Sequence, residues 1–428
     1  MINVATIREV SARVEANRDA LIGDVVACVR IPSLTGHEGA AQAFMRRLYE
    51  SLELELDVFE ADLDSMARQP GYVRTPWTAE GRPNVVGTLR GVDPGARSLA
   101  LNGHIDVVSP EPLAAWTREP WGGEWVEADG EQRIYGRGAL DMKSGTVACV
   151  HALKAVLEAG FRPRGSVVLQ SVVEEEAGGG AGTLATLARG HTADALLSAE
   201  PFYHTIALGQ PGVMLFRVRV RGKSAHAANS HRGVNAIGKM ILVYEALIAL
   251  DGERAMRWRD PFFDGLSERA VNLNIGVMRA GDWPSTVAGE AELECRVSFI
   301  PPQTMDEVRR EVEQHIAHVA AIDPWLREHP PEVEWFGWQA GPWRQEATAP
   351  FITTLVDAAG AVIGMPPPLI AATAGLDARH AGTFGIPAAC IGARGAGMHA
   401  ADEYVEVESV IETAKILAAT IVSWCGVA

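Results

Sequence analysis

The stretch 98–109, SLALNGHIDVVS, decides how the rest of the chain is read. Ser98 to Val108 is an apolar run without polar alternation, the pattern of a strand buried on both faces of a mainly parallel sheet. It carries His104-Ile105-Asp106 at its end, and residues two apart on a strand share a face, so the Asp106 carboxylate can stand behind the His104 imidazole. Two further runs repeat the plan. Ser166 to Val173 leads into Glu174-Glu175-Glu176, and Asp194 to Ala199 leads into Glu200-Pro201. Ligands of open α/β sheets sit beyond such strand ends, so three runs that each finish in polar or acidic residues point to one site.

Outward from these strands, Thr35-Gly36-His37-Glu38 reads as a capping box for a helix from Ala40 to Leu52, and Gly145 to Glu158 reads as a second helix. After Gly212 the pattern changes: strand (Val213 to Val220), helix (Val234 to Leu250), two strands (Val271 to Arg279, Glu290 to Phe299), helix (Met305 to Ala320) and strand (Val333 to Trp338). That β-α-β-β-α-β order is the ferredoxin-like arrangement, which folds as a small domain of its own. The expected architecture is therefore α/β, with a mixed, mostly parallel sheet flanked by helices over residues 1–212 plus 339–428, interrupted by an inserted ferredoxin-like domain over 213–338. A chain of 428 residues accommodates both.

The net charge of -16 repels phosphate backbones and anionic bilayers, so neither nucleic acid nor membrane is an expected partner. No apolar stretch reaches the roughly 20 residues of a membrane span. The first residues mix charges every few positions and read as an amphipathic helix, unlike an export signal. Five scattered cysteines without a CxxC pair indicate reduced, buried thiols and a cytoplasmic setting.

Further donors lie in loops. Asp141 sits in YGRGALDMKSG, where flanking glycines permit sharp turns, and His399 ends the glycine-rich run Gly392 to His399. Singly, each residue has a plain alternative: a capped core histidine, a helix N-cap, a solvated acidic loop. Together and in this order, the motifs resemble those of the dinuclear zinc amidohydrolases that include acetylornithine deacetylase, succinyl-diaminopimelate desuccinylase, aminoacylase and glutamate carboxypeptidase, over essentially the whole chain. The resemblance implies two divalent metal ions. His104 and Glu200 would bind one, Glu176 and His399 the other, and Asp141 both. It also implies Asp106 as the partner that orients His104, and Glu175 as the general base for the attacking water. The donor set suits zinc and admits cobalt or manganese. In the inserted domain, Gly222-Lys223-Ser224-Ala225-His226-Ala227 resembles the lid loop whose histidine binds the oxyanion, which implies a lid and a homodimer formed through that domain. Arg296 and Asp377 are the candidate substrate contacts.

Two departures bear on the substrate. Ser285 stands where many relatives have an asparagine, and Arg296 lies two residues before the position of the usual carboxylate-binding arginine. The leading expectation is a deacylase of an N-acyl amino acid or small N-acyl amine. The alternative is a C–N hydrolase of a heteroaromatic substrate such as a formylaminopyrimidine, with Trp77, Trp116, Trp121 and Trp283 as candidate aromatic walls or ordinary core. An alternative of another class is a non-catalytic dimeric scaffold, whose mark would be loss of Glu175 or a metal ligand.

Overall fold

The computed structural model describes residues 3–428. They divide into two compact units. One runs to Leu208 and resumes over Gln345–Ile370 and Leu376–Ala428; the other comprises Gly209–Arg344 and Ala371–Gly375. The second unit thus includes a short segment that the sequence assigned to the 339–428 portion. Ala372 N donates to the Gly209 carbonyl at 2.7 Å, and Gly375 lies so close to the Trp338 indole that a Cβ there would sit 2.3 Å from the ring. Those contacts tie 371–375 to the second unit.

The first unit is built on an eight-stranded sheet in the order Glu55–Phe59, Asn84–Leu89, Val167–Val172, Leu99–His104, Leu196–Ser198, Ala388–Cys390, Ile206–Ala207, Leu369–Ile370. Its centre is parallel: Leu99–His104 pairs with Val167–Val172 on one side and with Leu196–Ser198 on the other, and the latter pairs with Ala388–Cys390. Every residue of the three central strands is buried. Their uninterrupted apolar runs follow from that, since helices cover both faces of such a sheet. The helix Ser144–Glu158 is buried over most of its circumference and packs against Val407–Trp424. A side chain such as Leu101, flanked by Leu169 and Leu197 across the strands, contributes about 1.5–3 kcal/mol through its burial.

The expected capping box at Thr35 does not form. The helix starts at Gly39 without a side-chain cap, because Thr35 Oγ1 donates to Asp106 Oδ2 at 2.9 Å and Glu38 is drawn to Arg82. Helix Met305–Ile322 does carry a capping box, between Thr304 and Glu307.

The second unit has the β-α-β-β-α-β order. Its antiparallel sheet runs Leu273–Ala280, Glu290–Phe299, Gly212–Arg221, Glu332–Ala340. Phe216, Val218 and Val220 alternate inward and join Met240, Val243, Leu247, Val312 and Ile316 of two helices in one core. The opposite face is a cross-strand ladder in which Arg217 and Arg219 meet Glu292 and Glu334. Alternation of this kind is what a sheet with one covered face requires.

All five cysteines are buried and free. No helix among the described residues is long and apolar enough to cross a membrane.

Candidate metal centre

Three parallel strands deliver their ends to one edge of the central sheet. His104 is the last residue of its strand, Glu175 and Glu176 follow Val172, and Glu200 follows Ser198. Asp141 arrives from a turn before helix Ser144–Glu158. There Gly138 takes φ +78°, and Asp141 itself leaves helical geometry at φ −116°, ψ 99°. A Cβ on Gly138 would meet Val107 Cγ1 at 2.4 Å, so the turn needs glycine on both counts. His399 comes from the loop after Cys390, at φ +58°.

These side chains converge as two sets of donors, His104–Asp141–Glu200 and Asp141–Glu176–His399, and within each set the donor atoms lie within 4.8 Å of one another. The two oxygens of Asp141 are divided between the sets. Oδ1 lies 3.1 Å from His104 Nε2, and Oδ2 lies 3.3 Å from His399 Nε2. His104 Nε2 is 3.9 Å from Glu200 Oε1, and His399 Nε2 is 3.1 Å from Glu176 Oε2. A tetrahedral ion with ligands at 2.0–2.1 Å has donor-to-donor edges of about 3.3 Å. The observed separations therefore fit an ion in each set with Asp141 shared.

The charge of the cluster fits as well. Four carboxylates meet two imidazoles in a largely enclosed space, an excess of negative charge that bound cations would offset. Burial pushes the Glu200 carboxyl up to about 8 and moves Glu175 well above its usual range, with neighbouring carboxylates adding to both. Burial disfavours the His104 imidazolium, yet the Asp141 hydrogen bond and the Glu200 and Glu175 charges outweigh it and raise the imidazole well above its usual value. Hydrogen bonds to Asp141 and Glu176 draw His399 up to about 10. For Asp141 burial opposes ionisation, but the bonds to His104 and His399 prevail and hold it below the carboxylate range. Two dications would balance the four carboxylates Asp141, Glu175, Glu176 and Glu200 while leaving both imidazoles neutral, the form in which they bind metals.

Glu175 belongs to neither set, although its Oε2 is 4.0 Å from His104 Nε2. Asp106 corrects the simplest reading of the tripeptide. His104 Nδ1 lies 2.9 Å from the Asp106 backbone carbonyl and 3.6 Å from its carboxylate. The carbonyl accepts the Nδ1 proton and so leaves Nε2 free to bind a metal. The carboxylate instead receives the amides of Glu175 and Glu176 at 3.1 and 3.2 Å and the Thr35 hydroxyl, and thereby orients the acidic loop.

Of the three consecutive glutamates, Glu174 turns away. It joins Arg82 at 2.9 Å, and Arg82 also meets Glu38 at 2.7 Å, all three being buried. Arg82 was missed in the sequence, and Thr35 and Glu38 were read only as a helix cap, because each is remote along the chain from the loop it braces. Glu403 and Arg137, which brace the Asp141 turn, were missed too; the signal for Glu403 was its place four residues beyond His399.

Asp377 is only 3% exposed. Its charge acts on Glu175 and Glu200, and Thr183 and Arg379 surround it. This candidate substrate contact thus lies beside the acidic cluster as an enclosed carboxylate. Trp116 donates its N–H to the Pro110 carbonyl and lies over Arg137, and Trp121 faces Lys143; both are half-buried. Trp77 lies against Gly36.

In the second unit, His226 is exposed and its Nδ1 accepts from Ala228 N at 3.1 Å. A ring that accepts at Nδ1 carries its proton on Nε2. Arg296 is half-buried and donates to Asn272 Oδ1 at 3.0 Å, and Trp283 is exposed.

Residues 100–423 match the sequence profile of Peptidase family M20/M25/M40. The chain is 31% identical to the N-formyl-4-amino-5-aminomethyl-2-methylpyrimidine deformylase of Halalkalibacterium halodurans, over 79% of this chain and 76% of that one. It is 29% identical to the succinyl-diaminopimelate desuccinylase of Paracoccus denitrificans, over 79% and 85%. Its fold matches an M20 family metallo-carboxypeptidase from Sulfolobus solfataricus with a TM-score of 0.74 at 16% identity, covering 95% of this chain and 99% of that one.

Proposed function

Since the chain belongs to Peptidase family M20/M25/M40 and is a hydrolase of amide-type C–N bonds, we propose that its substrate is a small N-acyl amine, with an N-formylated heteroaromatic amine as the leading class. The observation that carries a hydrolytic site is the division of the Asp141 oxygens between His104 and His399, with Glu175 beside the cluster but outside both donor sets.

His104, Asp141 and Glu200 would hold one divalent ion, and Asp141, Glu176 and His399 a second, with zinc as the first candidate and cobalt or manganese as others. Such ions, when bound, acidify water and polarise an amide carbonyl. Glu175 accepts the proton of the attacking water and returns it to the leaving nitrogen. His226, protonated on Nε2, presents a hydrogen-bond donor of the kind a developing oxyanion takes. Asp106 keeps Glu175 and Glu176 in place through their backbone amides.

The heteroaromatic class is put first for two reasons. The relative at 31% identity carries that deformylase activity in its name, and Arg296, the side chain that would grip a substrate carboxylate, is already bonded to Asn272. The desuccinylase relative supports a second reading, an N-succinyl or other N-acyl amino acid. Hydrolysis of N-formylaminopyrimidines, N-succinyl and N-acetyl amino acids by zinc-loaded protein separates the two. Turnover confined to the acyl-amino acids would overturn the preference, and turnover of no amide would overturn the substrate reading altogether.

The second unit is the proposed dimer contact. Ile237, Ile241, Tyr244 and Ile248 form an exposed stripe along helix Ala236–Arg257, at the three- and four-residue spacing of one helix face. That helix packs on Leu273–Ala280, which is an edge strand with Met278 exposed. A second copy, related by a two-fold axis, covers stripe and edge together. Five reduced, buried cysteines support a cytoplasmic setting.

A further inference from the structure

Glu403 is 1% exposed and binds the turn that carries Asp141 at four points. Oε1 accepts from the backbone amides of Leu140 at 2.9 Å and Asp141 at 3.1 Å. Oε2 accepts from the amide of Gly138 at 3.1 Å and from Arg137 Nη1 at 2.6 Å. Arg137 is itself 2% exposed. Its Nη2 donates to the Ala400 carbonyl at 3.0 Å, and its guanidinium lies 5.2 Å from the Trp116 ring centre. The backbone adds a further tie, from Gly136 N to the Glu403 carbonyl at 2.9 Å.

The two residues therefore join two loops. One, 136–143, presents Asp141; the other, 395–403, presents His399 next to Ala400. Neither Glu403 nor Arg137 lies in a donor set, yet every polar contact made by the Glu403 carboxylate falls on the Asp141 turn. A buried carboxylate with its oxygens filled by directed donors is a rigid device, since losing any partner leaves a charge unmatched.

We propose that Glu403, locked by Arg137, is a positioning residue that fixes Asp141 against His399 and so sets the affinity of the ion held by Asp141, Glu176 and His399. This rests on the two-ion reading given above. Glu403 touches neither ion nor substrate; it acts through the backbone of Asp141 and through the loop that ends in it. The position held by His104, Asp141 and Glu200 shares Asp141 but depends on Glu403 less, because its other two ligands are set by strand ends that Glu403 does not touch.

The test is a metal titration. Zinc binding to wild type, E403Q and R137K is followed by competition with a chromophoric chelator, together with urea unfolding of the metal-free proteins. In E403Q an NH2 group must face backbone N–H groups or Arg137, so one zinc step is expected to weaken roughly ten- to hundredfold while the other stays within about threefold. R137K keeps the cation beside Glu403 but loses the reach to Ala400, and is expected to weaken the same step by a smaller factor. R137K also keeps the proposal testable should E403Q fail to fold. Two steps unchanged in both variants, with wild type binding two ions, would overturn the clasp and leave the function reading intact. Equal weakening of both steps in parallel with metal-free stability would also overturn it, since that marks a residue that only holds the fold. A wild type that binds no pair of ions would remove the function reading and the clasp with it.

Discussion

Gly145 is the second residue of helix Ser144–Glu158, where alanine is intrinsically favoured over glycine by about 1 kcal/mol. On propensity alone Gly145→Ala should stabilise the protein. The packing says the reverse. A Cβ at Gly145 would lie 2.1 Å from the Ala199 carbonyl oxygen, and real Cβ atoms essentially never approach within 3.0 Å. Helix and strand end must therefore separate by about 0.9 Å. The obstacle is backbone, not the far end of a flexible side chain, and Ala199 is pinned by its amide to Asn102 at 3.1 Å. Overpacking of this kind costs about 1–3 kcal/mol, and a contact against rigid backbone falls at the upper end, so the net expectation is a loss of about 2 kcal/mol. The displaced residue is covalently joined to Glu200. A shift approaching 1 Å is large against donor-to-donor edges of about 3.3 Å, so the ion between His104 and Glu200 should bind at least tenfold more weakly. Urea unfolding of the metal-free protein reads the first effect and chelator competition reads the second. A Gly145→Ala protein that is as stable as wild type, with both zinc affinities unchanged, would refute the reasoning: the strand end would then be compliant, and helix propensity would govern the site.

Three other expectations follow from the same geometry. Glu175→Gln should retain two ions, because Glu175 is in neither donor set, and should lose about 10²- to 10⁴-fold in kcat, the usual worth of a general base; a kcat within tenfold of wild type, measured at saturating substrate, would reject that role. Chelation should abolish turnover and lower the unfolding temperature, with zinc restoring both, since each ion at a thousand times its Kd stabilises by about 4 kcal/mol; calorimetry showing the same transition before and after chelation would contradict a cluster that needs cations. Ile241→Lys, in the middle of the exposed stripe on helix Ala236–Arg257, should convert a dimer to a monomer in light scattering without unfolding it, whereas a dimer of undiminished strength would place the contact elsewhere.

What the sequence made legible was whatever is encoded locally. The runs Ser98 to Val108, Ser166 to Val173 and Asp194 to Ala199 are apolar because the central strands are covered on both faces, although the first strand stops at His104, and the polar residues at their ends emerge at one sheet edge. The second unit was legible because Phe216, Val218 and Val220 alternate with charged residues over a single covered face. Partners distant in sequence leave no such trace. Thr35 has the spacing of a helix cap and is taken instead by Asp106, while Arg82 and Glu38, separated by 44 residues, pair in the core.

The run Glu174-Glu175-Glu176 shows the limit most sharply. Strand parity would put Glu174 and Glu176 on one face and Glu175 on the other. The backbone breaks parity at Glu174, which takes φ +68°, a conformation that costs a non-glycine residue about 1–3 kcal/mol unless its surroundings fix it. They do so here: its carboxylate is paired with Arg82, and it lies so close to Gly179 that a Cβ there would sit 1.9 Å from Oε1. With Glu174 committed to the core, the chain turns, Asp106 receives the next two amides, and Glu175 and Glu176 both reach the cluster. The strained residue thus separates one structural glutamate from two that face His104 and His399, a division that no count along the sequence contains.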